Sequence, residues 1–286
     1  MNLVSLILQA ALVLSLVFAG GCSVPVGPAS SASTQSSPDL LVNETRIGSV
    51  SDSSTHLSAR ITPPSGDLIG LSLGGRPIVK REYRGSPTTT EAVLLFAGIH
   101  GNEPTTVFAA ARLLELLDRE PNLVPPHVRL VILPLANPDG YEARTRQNSA
   151  GVDLNRNFPA SNFQVSKRRN EYWPGPGPLT EPESRAIHDL VESLKPARIL
   201  SLHSIKPGRH GVNYDGPAKA LAHLIASKNS YNVLETMGYP TPGSFGSWAG
   251  IDRQIPTITL EFPSRTPGAK AWEDNREAVL AFIRGR

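Results

Sequence analysis

Short, nearly continuous apolar runs alternate along this chain with longer stretches whose apolar positions return every three or four residues. The first pattern belongs to strands buried on both faces, the second to helices with one side on a core. Val93-Leu94-Leu95-Phe96-Ala97 is the strongest run of the first kind, and others predict strands at 128–135, 198–202 and 257–261. The amphipathic stretches predict helices at 104–118, 181–194, 217–230 and 268–284. Ahead of them, Ile69-Gly70-Leu71-Ser72-Leu73 and Ile78-Val79-Lys80-Arg81-Glu82-Tyr83 flank Gly74-Gly75 and read as a hairpin. Strands and helices in alternation imply an α/β fold with a mixed, largely parallel central sheet flanked by helices.

In such sheets ligands bind beyond the carboxyl ends of the strands, where the loops converge on one rim. Polar residues stand at four of those ends. His100 follows the first strong strand, Asn137 the second and His203 the third, and Glu261 closes the fourth.

The N-terminus follows neither pattern. Residues 3–21 are apolar except for Ser5, Gln9 and Ser15, and a Ser-, Pro- and Ala-rich stretch follows. The first segment reads as an export signal and the second as a tether too poor in large apolar side chains to fold. Ala19-Gly20-Gly21-Cys22 resembles a bacterial lipoprotein signal, in which the cysteine receives lipid. Simple secretion and an uncleaved membrane anchor are the alternatives, because the apolar run approaches the ~20 residues that span a bilayer. The plan is an export segment at 1–22, a tether at 23–55 and a catalytic domain at 56–286, giving an exported protein of the periplasm or cell envelope, with membrane attachment through Cys22 lipid or the apolar segment.

Composition narrows the chemistry. With 40% hydrophobic and 19% charged residues the chain is that of a globular protein. Its net charge of +3 is mild and its Lys and Arg are scattered, so no nucleic-acid partner is expected. Cys22 is its one cysteine, which excludes an intramolecular disulfide and any Cys-based zinc site. A metal must therefore take His and carboxylate ligands. His100-Gly101-Asn102-Glu103 places two such groups three residues apart where a strand gives way to a helix, and His203 ends a strand on the same rim. Two His and one Glu suit a catalytic zinc ion, whose remaining position is left for water. His56, His127, His188, His210 and His223 lack strand-end placement.

His100-Gly101-Asn102-Glu103, Asn137-Pro138-Asp139-Gly140, the run from Gly151-Val152-Asp153 through Leu154-Asn155-Arg156-Asn157-Phe158-Pro159, and Ser201-Leu202-His203-Ser204 together resemble the zinc carboxypeptidase family from about Ile69 onward. The resemblance implies one Zn²⁺ per chain on His100, Glu103 and His203, with Asp153 orienting the His100 imidazole. It further implies Glu261 as general base, Arg146 as the cation facing the oxyanion, Asn155 and Arg156 as receptors for the substrate's terminal carboxylate, and Tyr239 as the mobile active-site tyrosine. Arg144 lies close enough in sequence to compete for the role of Arg146. The segment Gly238-Tyr239-Pro240-Thr241-Pro242-Gly243-Ser244-Phe245-Gly246-Ser247-Trp248 and the later Glu261-Phe262-Pro263 are similar to the branch of that family that cuts γ-D-glutamyl–meso-diaminopimelate bonds, so a cell-wall-derived peptide is the expected substrate. No residue near Gly246 and Ser247 reports a charged side-chain pocket, and Trp173 and Trp248 read as packing residues.

Two other readings compete. Gly70-Leu71-Ser72-Leu73-Gly74 matches GxSxG, but a nucleophile elbow needs a helix behind its serine, and a second strand follows here instead. A non-catalytic cell-wall peptide-binding lipoprotein would have little need for a base and an oxyanion cation together. An exported metallocarboxypeptidase acting on ordinary peptides is the nearest alternative of the same chemistry.

Overall fold

The computed structural model describes residues 66–285, so the expectations for the export segment, Cys22, the tether and His56 fall outside the described residues. Within them one eight-stranded sheet forms, in the order β1-β2-β4-β3-β5-β8-β6-β7. Its strands are β1 (Asp67–Leu71), β2 (Pro77–Arg84), β3 (Glu91–Phe96), β4 (Val128–Leu133), β5 (Arg198–Ile205), β6 (Gly211–Asp215), β7 (Val233–Leu234) and β8 (Thr257–Pro263). The four middle strands β4, β3, β5 and β8 run parallel, as the alternating pattern requires. The β1–β2 hairpin joins β4 antiparallel, and β6 lies antiparallel to β8 on the other side.

Among the described residues five α-helices accompany the sheet: α1 (Pro104–Arg119), α2 (Pro138–Ala143), α3 (Pro182–Leu194), α4 (Lys219–Asn229) and α5 (Gly268–Arg284). Successive strand residues point to opposite faces, and the core divides accordingly. Val93, Leu95, Leu130, Leu202 and Leu260 pack with Leu113 and Leu117 of α1, Ile225 of α4 and Phe282 of α5. Leu94, Phe96, Val131 and Leu133 meet Ile187 and Leu190 of α3, together with Phe158, Phe245 and Trp248, on the other face. Each fully buried side chain of this size contributes about 1.5–3 kcal/mol. Trp173 and Trp248 are both buried, as expected of packing residues.

Several boundaries shift from expectation. β4 stops at Leu133, before Pro134, whose ring removes a ladder donor. β5 and β8 continue past the expected ends to Ile205 and Pro263, carrying His203 and Glu261 within the strands themselves. Besides short turns at Pro121–Leu123 and Leu154–Arg156, the new pieces are α2, β6, β7 and a π-helical segment at Gly246–Asp252. Ser72 sits in the β1–β2 turn with its hydroxyl donating to Asp139 Oδ1 at 2.9 Å, and β2 rather than a helix follows, so the hydrolase-elbow reading fails. Among the described residues no helix is long and apolar enough to cross a membrane.

Candidate metal centre

Parity along β5 builds the first part of the site. Leu200 and Leu202 turn toward the α1–α5 side, so Ser201 and His203 turn toward the other. β8 repeats the pattern, with Ile258, Leu260 and Phe262 on the α1–α5 side, which puts Thr259 and Glu261 on the same face as His203. His203 and Glu261 are direct register partners across the parallel β5–β8 pair. β6 pairs Asn213 with Thr259 and Asp215 with Thr257, so its polar residues extend the same stripe. Alternation thus sorts the apolar residues to the core and the polar ones into a cleft.

The second part comes from the β3–α1 junction. The chain passes from Phe96 to Pro104 through His100 and Glu103, and Pro104 starts the helix at a position where its missing N–H is not needed. Gly101 is required here by close approach, because a Cβ on it would lie 1.9 Å from the Gly140 carbonyl carbon at the start of α2. That helix is in turn capped by Asn137, whose Oδ1 accepts from Gly140 N–H at 2.9 Å. The HxxE and NPDG segments therefore share one packing contact, glycine against glycine.

One ligand atom each from His100, Glu103 and His203 converges to within 4.8 Å of the others, and all three residues are buried. His100 Nδ1 lies 2.8 Å from Glu103 Oε1, and His203 Nδ1 lies 3.4 Å from Glu103 Oε2. Glu103 Oε2 also accepts from Ser204 N–H at 2.9 Å. Burial opposes ionisation of Glu103, yet the two imidazoles outweigh it and hold the carboxyl well below the usual range. The far nitrogen of His100, Nε2, is 3.2 Å from Asp153 Oδ1, the carboxylate–imidazole pairing that fixes ring orientation at metal sites. Two imidazoles and a carboxylate, buried, convergent and oriented from behind, fit the donor set of a catalytic zinc ion.

Around these ligands stand the other expected residues. Asp153 is fully buried, caps the turn Leu154–Arg156 through Asn155 N–H at 3.0 Å, and accepts from Arg146 Nε at 2.9 Å. Arg146 Nη1 reaches to 3.9 Å from Glu103 Oε1, so of the two candidate arginines it is Arg146 that borders the centre. Arg156 is buried, its guanidinium bonded to the Asn155 carbonyl at 2.6 Å, while Asn155 Oδ1 accepts from Phe245 N–H at 2.9 Å. Burial presses the Arg156 pKa below its ordinary value, Asp153 pulls it up and neighbouring Arg146 pushes it down again, a setting that favours an incoming anion. Tyr239 borders the same cavity and is 42% exposed, free enough to swing.

Glu261 is buried, and its Oε2 has no hydrogen-bond partner among the described residues. Burial pushes its carboxyl up to about 7, with Glu103 adding to the shift and His203 and Arg146 opposing it. A buried carboxylate with an uncommitted oxygen beside a metal centre, and a pKa near neutrality, is poised for proton transfer.

These groups line a cavity of about 180 Å³. Its inner wall holds a residue the sequence did not reveal. Asp215, at the end of β6, lines the cavity with no side-chain hydrogen bond or ion pair among the described residues, and burial raises its carboxyl to about 6. It is reached only because Gly246 opens the π-helical segment, since a Cβ there would lie 2.1 Å from Asp215 Oδ2. The pocket near Gly246 is thus not uncharged. Tyr172 was also missed: its ring lies 5.1 Å from the Arg146 guanidinium and 5.9 Å from that of Arg156. The polar alternation Asn213-Tyr214-Asp215 after the His203 strand was the available signal for the first; nothing local marked the second.

Residues 65–214 match the zinc carboxypeptidase family. Murein peptide amidase A of Escherichia coli (strain K12) is 33% identical over 216 residues, 70% of this chain and 82% of that protein. The crystal structure of a murein-tripeptide amidase from Escherichia coli O157 superposes with a TM-score of 0.65 at 30% identity, covering 77% of this chain and 92% of that one. Carboxypeptidase A from Helicoverpa armigera, at 19% identity and a TM-score of 0.63 over 76% of this chain and 67% of that one, shares the fold.

Proposed function

Because this chain belongs to the zinc carboxypeptidase family, a family of hydrolases, we propose that it releases a C-terminal residue from murein-derived peptides by cutting the amide bond between γ-D-glutamate and meso-diaminopimelate. The observation that carries this choice is Asp215, an uncommitted carboxylate at the inner wall of the leaving-residue cavity. Asn155 and Arg156, suited to a terminal carboxylate, line the same cavity. A leaving residue that meets both needs a carboxylate at one end and an ammonium on its side chain; diaminopimelate carries both, with a further carboxylate beside that ammonium, and lysine carries both as well. The similarity to murein peptide amidase A points the same way.

His100, Glu103 and His203 would hold the zinc, which when bound would supply Lewis acidity toward the scissile carbonyl and activate water. The protein's own groups do the rest. Glu261 accepts the attacking water's proton on its free oxygen and hands it to the departing amine, ending each turnover in its starting state. Arg146, held against Asp153 with its guanidinium toward Glu103, faces the charge that develops on the carbonyl oxygen. Arg156 and Asn155 fix the terminal carboxylate, and Tyr239 closes over the bound residue. Asp153 keeps the His100 ring in place.

We place the enzyme outside the cytoplasm, in the periplasm or cell envelope; the apolar run at 3–21 followed by Cys22 supports export, with lipid on Cys22 as one means of attachment. The test is zinc content together with hydrolysis of L-Ala-γ-D-Glu-meso-diaminopimelate, products read by mass spectrometry. Release of diaminopimelate is expected. If only C-terminal lysine or arginine is released from ordinary peptides, the chemistry stands and the murein substrate is wrong.

A further inference from the structure

The leaving-residue cavity is lined by Asp215 of β6 and Gly246 of the π-helical segment, and past Arg146, Arg156, Ile205 and Tyr239 it adjoins a second opening, which offers a path for the rest of a bound peptide. There a groove of about 790 Å³ runs outward, lined by Arg146, Arg156, Lys206 and Arg209 with Tyr172 and Tyr239 as aromatic walls. All four charged residues on its walls are cationic, and none of the residues lining it carries a carboxylate. Two of those cations are already engaged at the centre. Arg146 pairs with Asp153 and approaches Glu103, and Arg156 lies in the cavity facing the position of the terminal carboxylate.

Lys206 and Arg209 are different. Both are exposed, both stand on the loop that follows β5, and neither forms an ion pair among the described residues. Arg209 is nevertheless held in place: its Nη2 donates to the Met237 carbonyl at 2.8 Å and its guanidinium lies 5.7 Å from the Tyr239 ring centroid. Lys206 also lines the adjoining opening together with Glu103, Arg146, Glu171 and Arg265, so it stands at the junction between metal centre and groove. Lys206 directly follows β5, three residues after the metal ligand His203.

We infer that Lys206 and Arg209 form an anion subsite for a free carboxylate on the acyl side of the scissile bond, making the enzyme selective for acidic peptides at that position. The inference rests on the reading of the cavity as the leaving-residue pocket. It assigns opposite charges to the two halves of the substrate: an ammonium group inside against Asp215, a carboxylate outside against Lys206 and Arg209. A γ-linked glutamate meets the second requirement, because its α-carboxylate stays free next to the bond that is cut.

The experiment compares two tripeptides, L-Ala-γ-D-Glu-meso-diaminopimelate and the same peptide with the glutamyl α-carboxylate converted to a carboxamide, using the wild type, the Lys206→Ala/Arg209→Ala double variant and the charge-keeping Lys206→Arg/Arg209→Lys pair. The wild type is expected to prefer the acidic peptide in kcat/KM by about tenfold, the scale of two exposed charge pairs, and to lose most of the preference in 0.5 M salt. The alanine pair should abolish the preference through KM, and the charge-keeping pair should retain most of it. Equal kcat/KM for the two peptides in the wild type, or a preference that survives the alanine pair, overturns the subsite while leaving the murein reading intact. Should neither tripeptide be cleaved, the same comparison is run with α-linked Glu-Lys and Gln-Lys C-termini. A Lys206- and Arg209-dependent preference for Glu-Lys would then uphold the subsite while the murein substrate fails, and no such preference would remove both.

Discussion

Glu261 and Asp215 are two carboxylates on one face of the sheet, both raised by burial, and they are expected to respond differently to the same change. Glu261→Gln keeps the size of the side chain and removes the proton acceptor, so kcat should fall by roughly 10²–10⁴ while bound zinc and KM stay near wild type. Full turnover in that variant, measured at saturating substrate, would mean that the base is elsewhere. Asp215→Asn instead should raise KM for a diaminopimelate or lysine leaving residue, by about tenfold or more, and leave a neutral one little changed. Its effect on stability has the opposite sign. The folded-state pKa lies above the ordinary 3.8, so folding favours the protonated acid, and the contribution from this group is lost as pH rises from about 4 through about 6. Above that range the asparagine variant should be the more stable by on the order of 1–2 kcal/mol, after allowance for partial solvent access, and near pH 4 the two should converge in chemical denaturation. At this scale His100, His203 and Glu261 were legible in sequence because each lies near the carboxyl end of a strand of strong apolar signal, and Glu103 through its spacing from His100. Asp215 was not, because β6 is five residues long with only its valine side firmly in the core.

At the scale of elements, the helices and middle strands were readable because their periodicities are strong and their ends are marked by proline or glycine, as at Pro104, Pro182 and Gly285. What was not readable is the π-helical segment, whose sequence carries no period of its own and whose shape is imposed by what it packs against. Gly246 and Gly250 both face Asp215: added Cβ atoms would lie 2.1 Å from its Oδ2 and 2.3 Å from its Cβ. Gly246→Ala should therefore turn the Asp215 carboxylate away and raise KM for an ammonium-bearing leaving residue. Gly250→Ala meets the Asp215 backbone and Cβ, which have less freedom to shift, and should lower the melting temperature as well. If Gly246→Ala has wild-type KM for such substrates, the carboxylate does not read the leaving side chain.

Taken as a whole molecule, the metal centre joins parts of the chain that no local contact connects. His100 and Glu103 belong to the β3–α1 junction and His203 to β5, about a hundred residues later. A ligand that binds only the folded arrangement stabilises it by mass action, about 2.7 kcal/mol at a hundredfold excess over its dissociation constant. Removing zinc with a chelator is expected to lower the melting temperature by roughly 5–10 °C, with recovery on adding zinc back, and the His203→Ala variant should melt at the same temperature with or without chelator. An unchanged wild-type transition would show that the three ligands do not hold a metal. The comparison with β6 and the π-helical segment explains the division between what the sequence disclosed and what it did not: metal ligation depends on a few strand ends, whereas specificity depends on how irregular pieces fit against one another.

The pairing of His203 with Glu261 across β5 and β8 also limits how the gene can change. Because neighbouring residues of a strand face opposite ways, deleting or inserting one codon ahead of β8 and sliding the strand by one place would bring Leu260 or Phe262 to the catalytic position and drive the glutamate into the hydrocarbon layer under α5. Indels in the 253–256 loop are therefore expected to survive only when the loop itself takes up the change in length, and length variation in descendants of this chain should collect on the far side of β8, after Pro263, where parity no longer matters.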